Sequence, residues 1–125
     1  MTGIARFSLV ALDCPQPLEL ARFYAAITGW EVRGDPDESE DWVQLVSPQG
    51  ATIAFQQAPG HQPPQWPSDD RPQQLHIDFD VDDLDAGEEA ILAIGARKAE
   101  EQPGGDDFRV YLDPAGHPFC LVRAD

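Results

Sequence analysis

Two prolyl turns lie 66 residues apart in this chain, and they constrain its fold more than any other feature. Ser47-Pro48-Gln49-Gly50 and Asp113-Pro114-Ala115-Gly116 share the form x-Pro-x-Gly. Proline presets φ at the second turn position, and glycine closes the turn. Trp42–Val46 leads into the first turn and Ala51–Gln57 leaves it, while Phe108–Val122 contains the second. The flanking runs alternate apolar and polar residues, so each turn joins a predicted β-hairpin. The same offset links Gly29 to Gly95, each ending an apolar, helix-like stretch. One offset relating three features predicts an internal duplication of about sixty residues per copy.

The chain in order agrees with this. Residues 4–12, IARFSLVAL, form a largely apolar predicted strand. Asp13-Cys14-Pro15-Gln16-Pro17 breaks it and places proline just inside a helix start. Leu20, Phe23, Tyr24 and Ile27 follow at the spacing of one helix face. Gly29 supplies the cap, and Trp30–Arg33 is a short strand. Asp35–Asp41 is an acidic loop. Ala58–Pro72 is proline-rich, lacks periodicity and forms the joint between copies. Its Trp66 is either a clamp onto the domain surface or part of a lid, with the clamp favoured because long ordered loops need an anchor. The second copy opens with Gln73–Val81, a period-two strand. Asp82 or Asp83 can cap a helix whose apolar side is Ile91, Leu92 and Ile94. Arg97–Glu100 is a short strand and Gln102–Asp107 a loop. Helices are predicted at about 17–28 and 83–94. Module one spans about 4–57, the linker about 58–72 and module two about 73–123. The fold class is α+β: two tandem βαβββ modules forming a curled mixed β-sheet with a cleft.

Composition limits the function. The net charge is −15, from 23 acids against 8 bases, so nucleic-acid backbones and anionic lipid surfaces are repelled. No apolar run approaches a membrane span and no signal-peptide pattern opens the chain, which predicts a cytoplasmic protein. Cys14 and Cys120 sit in unrelated contexts and are expected as reduced thiols.

FYAAITGWEV at 23–32, LHIDFDVDDLDA at 75–86 and YLDPAGHPFCLV at 111–122 resemble the vicinal oxygen chelate superfamily, also called the glyoxalase/bleomycin-resistance/dioxygenase superfamily. The resemblance covers nearly the whole chain. WPSDDRPQQLHIDFDVDDLD resembles, more narrowly, small glyoxalase-like proteins of actinobacteria. The resemblance implies a homodimer. It also implies where a metal would sit, because metal-dependent members place one ligand on the first and one on the last strand of each copy. Carried onto this chain, those positions are Phe7, Ala54, His76 and Cys120. Phenylalanine and alanine have no donor atom, and a catalytic divalent site normally has three protein ligands or more. No metal and no other cofactor is therefore expected, and glyoxalase I or ring-cleaving dioxygenase chemistry, which needs the metal as Lewis acid, is not expected either.

Alternation assigns side chains to the cleft face. Phe7, Leu9, Ala54 and Gln56 come from copy one; Gln74, His76, Asp78, Cys120, Arg109 and Tyr111 come from copy two. With Trp42 these are the candidate ligand-binding residues: an apolar wall and a few directed polar groups. His76 either contacts a ligand or simply hydrogen-bonds Asp78 or a neighbouring strand. Cys120 is expected to pack as a small hydrophobe. Three functions compete. The first is metal-free binding of a small organic molecule, cationic or aromatic, as in bleomycin-resistance-like sequestration. The second is a lyase or isomerase with His76 as catalytic acid/base and Tyr111 or Arg109 steadying charge. The third is an interaction module with a vestigial cleft.

Overall fold

Each predicted hairpin forms around its prolyl turn, with the same hydrogen bonds in both copies. Gly50 N–H donates to Ser47 O (3.1 Å) and Ser47 N–H to Ala51 O (2.8 Å); Gly116 N–H donates to Asp113 O and Asp113 N–H to His117 O, both at 2.9 Å. Gly50 and Gly116 adopt φ of 98° and 91°, where a side chain is strained. The structure, a computed structural model, describes residues 3–4, 6–34 and 41–124. Of the expected acidic loop at 35–41, residues 35–40 lie outside the described residues.

The elements are β1 (Val10–Cys14), α1 (Pro17–Thr28), β2 (Glu31–Arg33), β3 (Trp42–Val46) and β4 (Thr52–Gln57), then β5 (Ile77–Val81), α2 (Leu84–Ala93), β6 (Arg97–Lys98), β7 (Phe108–Leu112) and β8 (Pro118–Arg123). They divide into two compact units, Met1–His61 and Gln62–Asp125. Each holds one four-stranded mixed sheet, ordered β1-β4-β3-β2 in the first and β5-β8-β7-β6 in the second. In both, the first strand pairs parallel with the last, and the other pairings are antiparallel. The fold is thus α+β, two tandem βαβββ modules. Among the described residues no helix is long and apolar enough to cross a membrane.

The first strands are shorter than expected. The predicted strand over 4–12 begins only at Val10 and runs on to Cys14, and that over 73–81 begins at Ile77. The partner strand sets this limit. Val10 lies opposite Ile53 and Ile77 opposite Phe119, one residue inside β4 and β8. Earlier residues would have to pair with the turns, whose backbone groups bond internally.

In α1, Pro17 occupies the first turn, and Leu20, Ala21, Phe23 and Tyr24 are buried. Tyr24 stacks on Phe55 of β4, with centroids 5.9 Å apart. Gly29 ends the helix at φ 75°, its N–H bonded to Ala25 O. In α2, Asp83 accepts from Asp85 N–H (2.9 Å) and Ala86 N–H (3.1 Å) as the N-cap. The buried stripe is Leu84 and Ile91, with Gly87 between them, whereas Leu92 and Ile94 stand about 40% exposed. The expected apolar side is corrected here: a Cβ on Gly87 would meet Leu121 Cδ1 at 3.0 Å, so the helix approaches β8 along the Leu84–Gly87–Ile91 line. At about 100° per residue, Leu92 then turns outward.

The turns differ in how they are tied down. Asp113 Oδ1 accepts from Ala115 N–H (2.8 Å) and His117 N–H (2.9 Å), whereas buried Ser47 Oγ has no hydrogen-bond partner among the described residues. A Cβ on Gly116 would lie 2.5 Å from Pro63 Cβ, whereas one on Gly50 would meet nothing within 4 Å. Gly50→Ala should therefore cost only the backbone strain, about 1 kcal/mol, and Gly116→Ala about 2 kcal/mol or more because Pro63 must also move. Urea denaturation of the two variants measures the difference; equal losses would show that Pro63 yields freely.

Candidate functional site

The second sheet has two chemically distinct faces. Toward α2 it presents Phe79, Phe119 and Leu121, with Tyr111 and Arg109 opposite Phe119 and Leu121 in the register. Phe119 packs against Phe79 and Tyr111 at 6.2 and 5.8 Å between centroids. Four charged groups ring this layer. Tyr111 Oη donates to Glu88 Oε1 (2.9 Å), Lys98 Nζ lies 3.0 Å from the same oxygen, and Arg109 spans Asp85 Oδ1 (2.7 Å) and Glu88 Oε1 (3.6 Å). The Lys98 hydrogen bond lowers the Glu88 pKa against opposing desolvation, with Tyr111 adding to the effect. Desolvation first, then Glu88, raises the Tyr111 phenol above its ordinary value. Arg109 and Tyr111 are therefore corrected as residues of the opposite face: their ladder positions turn them to the helix, where carboxylates hold them.

The opposite, open face carries Asp78, Cys120 and Val110 in one row across β5, β8 and β7. Cys120, Val110 and Ala99 form a buried apolar cluster, with Trp66, Phe108 and Val122 packed against it. Trp66, expected as a clamp in preference to a lid, packs against this cluster. Gln102 holds the outer edge. Its amide donates to Ala99 O (2.9 Å) and Val110 O (2.8 Å) and accepts from Val110 N–H (2.9 Å), so the side chain replaces a strand. His76 precedes β5, with Nε2 3.7 Å from Asp78 Oδ1; both side chains are about half exposed. Gln74 points elsewhere: its amide reaches Gln62 O at 3.4 Å. Burial, then the Asp78 charge and hydrogen bond, pushes the Cys120 thiol up to about 11.

On the open face of the first sheet, Trp42 lies opposite Gln56, and Gln44 opposite Ala54. Asp13 and Ala11 complete these two rows from β1. Sequence reasoning missed Asp13, because the strand was expected to stop at Leu12; alternation would have found it once the strand ran to Cys14. Ala54 is fully buried and Phe7 is 80% exposed. Hollows lie beside the helix starts: one of about 700 Å³ lined by Gln16, Arg22 and Gln57, and one of about 300 Å³ lined by Asp82, Asp106, Arg109 and Arg123. The second adjoins helix N–H groups already taken by the Asp83 carboxylate.

Comparison with known proteins fits this geometry. Residues 9–122 match the glyoxalase-like domain family. The chain belongs to that family. This glyoxalase-like chain also resembles several solved structures in fold. One is a glyoxalase/bleomycin resistance protein/dioxygenase family enzyme from Burkholderia phytofirmans, with TM-score 0.70 and 17% identity over 95% of this chain and 98% of that one. Two are fosfomycin resistance proteins FosX. That of Mesorhizobium loti gives TM-score 0.69 and 16% identity over 98% and 94%, and that of Listeria monocytogenes 0.68 and 18% over 98% and 96%. At these identities the likeness is one of fold. No curated protein matches the sequence.

The register corrects the ligand positions inferred for a metal-dependent member. Ile53 and Phe119 are 66 residues apart and pair with Val10 and Ile77, so Val10 corresponds to Ile77 and Leu9, not Phe7, to His76. The four positions of this glyoxalase-like chain are then Leu9, Ala54, His76 and Cys120. Two are hydrocarbon, and a third is a thiol whose burial, and then its neighbouring carboxylate, disfavour the thiolate that a metal requires. Among the described residues no three His, Cys, Asp or Glu side chains are grouped to hold a metal. The donor set does not fit a catalytic divalent ion.

Two titrations test this site. Cys120 alkylation by iodoacetamide should stay slow at neutral pH and rise toward pH 11, where the thiolate forms; fast labelling near pH 8 in the folded protein, with Cys14→Ser as background, would contradict the burial argument. Glu88 is held below its ordinary value of 4.5, so its stabilisation is complete above that pH and is lost as pH falls through the lower folded value. Glu88→Gln should therefore lower the melting temperature at neutral pH, with the gap closing in acid below pH 4.5.

Proposed function

We propose that this glyoxalase-like protein binds a small organic molecule without a metal, on the open face of its second sheet. The observation that supports this most is the residue set at the four matched positions, Leu9, Ala54, His76 and Cys120, which lacks a divalent ligand shell. The same face combines an apolar part, Trp66 packed against buried Val110, Cys120 and Ala99, with a polar edge of Asp78 and His76, the mix of a small-molecule site. Arg109 and Tyr111, bound to α2, have no part in it. A second reading, a lyase or isomerase with His76 as acid/base, draws on one observation: Asp78 Oδ1 stands 3.7 Å from His76 Nε2, where it can orient the ring. A homodimer belongs to the first proposal, from the resemblance.

The purified protein should carry no stoichiometric Zn, Ni, Fe or Mn and should not isomerise the glutathione–methylglyoxal adduct. A library of small organic molecules should contain ligands that shift its melting temperature, and His76→Ala should weaken them without changing metal content. About one equivalent of metal per chain, lost in His76→Ala together with a lyase or isomerase activity, would restore the metal-dependent enzyme.

A further inference from the structure

Val110 and Cys120 lie on the face of the second sheet that α2 leaves uncovered, yet they are only 2% and 9% exposed. The linker contributes to their cover. Residues 62–74 form a compact loop whose ends meet: Gln74 Nε2 donates to Gln62 O (3.4 Å), and inside the loop Gln65 N–H donates to Arg71 O (2.7 Å). The approach to Trp66 is pinned, with Pro64 buried and Pro63 close against Gly116. Trp66 itself packs against the cluster of Ala99, Val110 and Cys120, and residues 67–74 beyond it are exposed. Among the described residues, the hydrogen bonds of 62–71 stay within the loop and none reaches a strand.

We infer that this loop is a strap closed over the binding face, with Trp66 occupying the place that the apolar body of a ligand takes once the strap lifts. This rests on the reading that the open face binds a small molecule, and adds how that face is guarded. A segment tied into the ladder would have to break hydrogen bonds to move. Trp66 holds instead by apolar contact, which is non-directional and can be exchanged for contact with another apolar body. The Gln62–Gln74 and Gln65–Arg71 bonds lie inside the loop and survive its motion, so it moves as one body. Opening then precedes association, and the fraction of open molecules scales the apparent affinity.

Cys120, in the covered cluster, reports the opening. Its labelling by iodoacetamide near pH 8, followed by peptide mass spectrometry in increasing urea, should proceed at a rate almost independent of urea below the unfolding transition, because lifting a strap exposes little surface. Trp66→Ala should raise that rate about tenfold, with Trp66→Phe between it and wild type; melting curves establish that each variant is folded. Free indole should then fill the place left in Trp66→Ala and slow Cys120 labelling about fivefold, while wild type, whose own indole is tethered there, changes little. A Trp66→Ala rate no higher than wild type, or a wild-type rate that climbs with urea as steeply as unfolding itself, overturns the strap and leaves small-molecule binding standing. If Trp66→Ala uncovers Cys120 but neither indole nor any molecule of the library slows its labelling, the strap stands and the small-molecule reading falls.

Discussion

Each copy of the repeat depends on one parallel pairing, that of its first strand with its last: β1 with β4, and β5 with β8. Parallel neighbours cannot be joined by a tight turn, so the chain must cross over before it returns. α1 and α2 begin those crossovers, and each covers one face of its sheet. The other face stays uncovered by the unit's own helix. The prolyl hairpins then carry the chain back so that the last strand lies beside the first. Through this pairing a helix cap such as Asp83 and a turn such as Asp113–Gly116 become parts of one arrangement.

The pairing also divides the chemistry. Side chains at alternate positions of β7 and β8 go to opposite faces, which sends Arg109 and Tyr111 to the helix and Val110 and Cys120 to the open side. The helix supplies Asp85 and Glu88, and the sheet supplies the bases that meet them. Cations on that side are held within a partly buried network, where desolvated pairs hold position more firmly than exposed ones. Asp78 and Asp80 go to the open side with Cys120 and Val122, and His76 stands 3.7 Å from Asp78. The asymmetry between the faces comes from alternation and helix position together.

Much of the architecture was legible because its signals are local. Pro48, Pro114 and the glycines at 29, 50, 95 and 116 mark turns and helix ends through backbone geometry that needs no partner. Trp42–Val46 and the helix at 17–28 follow from periodicity alone. The starts of the first strands were not legible, since Val10 and Ile77 are fixed by where the distant partner strands end. That error carried into the site. An offset counted from Leu12 and Val81 selected Phe7, whereas the register selects Leu9, and Arg109 and Tyr111 were assigned to a face that only the ladder with β8 decides. Trp66 and Gln102 gave no periodic signal at all, because each acts through one side chain on a surface built by other segments.

Gln102 has a consequence beyond its unit. β6 is only two residues long, and although Ala99 N–H carries its ladder on to Val110 O (3.1 Å), the outward-facing amide of Val110 would otherwise stand at a sheet border. Such a row of unsatisfied groups is a template on which another chain can add a strand and begin to aggregate. The Gln102 amide accepts from Val110 N–H, shares the Val110 carbonyl with Ala99 N–H, and then stops, because a side chain offers no further rung. It ends the ladder without inviting its continuation, and so guards this border against strand addition by another chain.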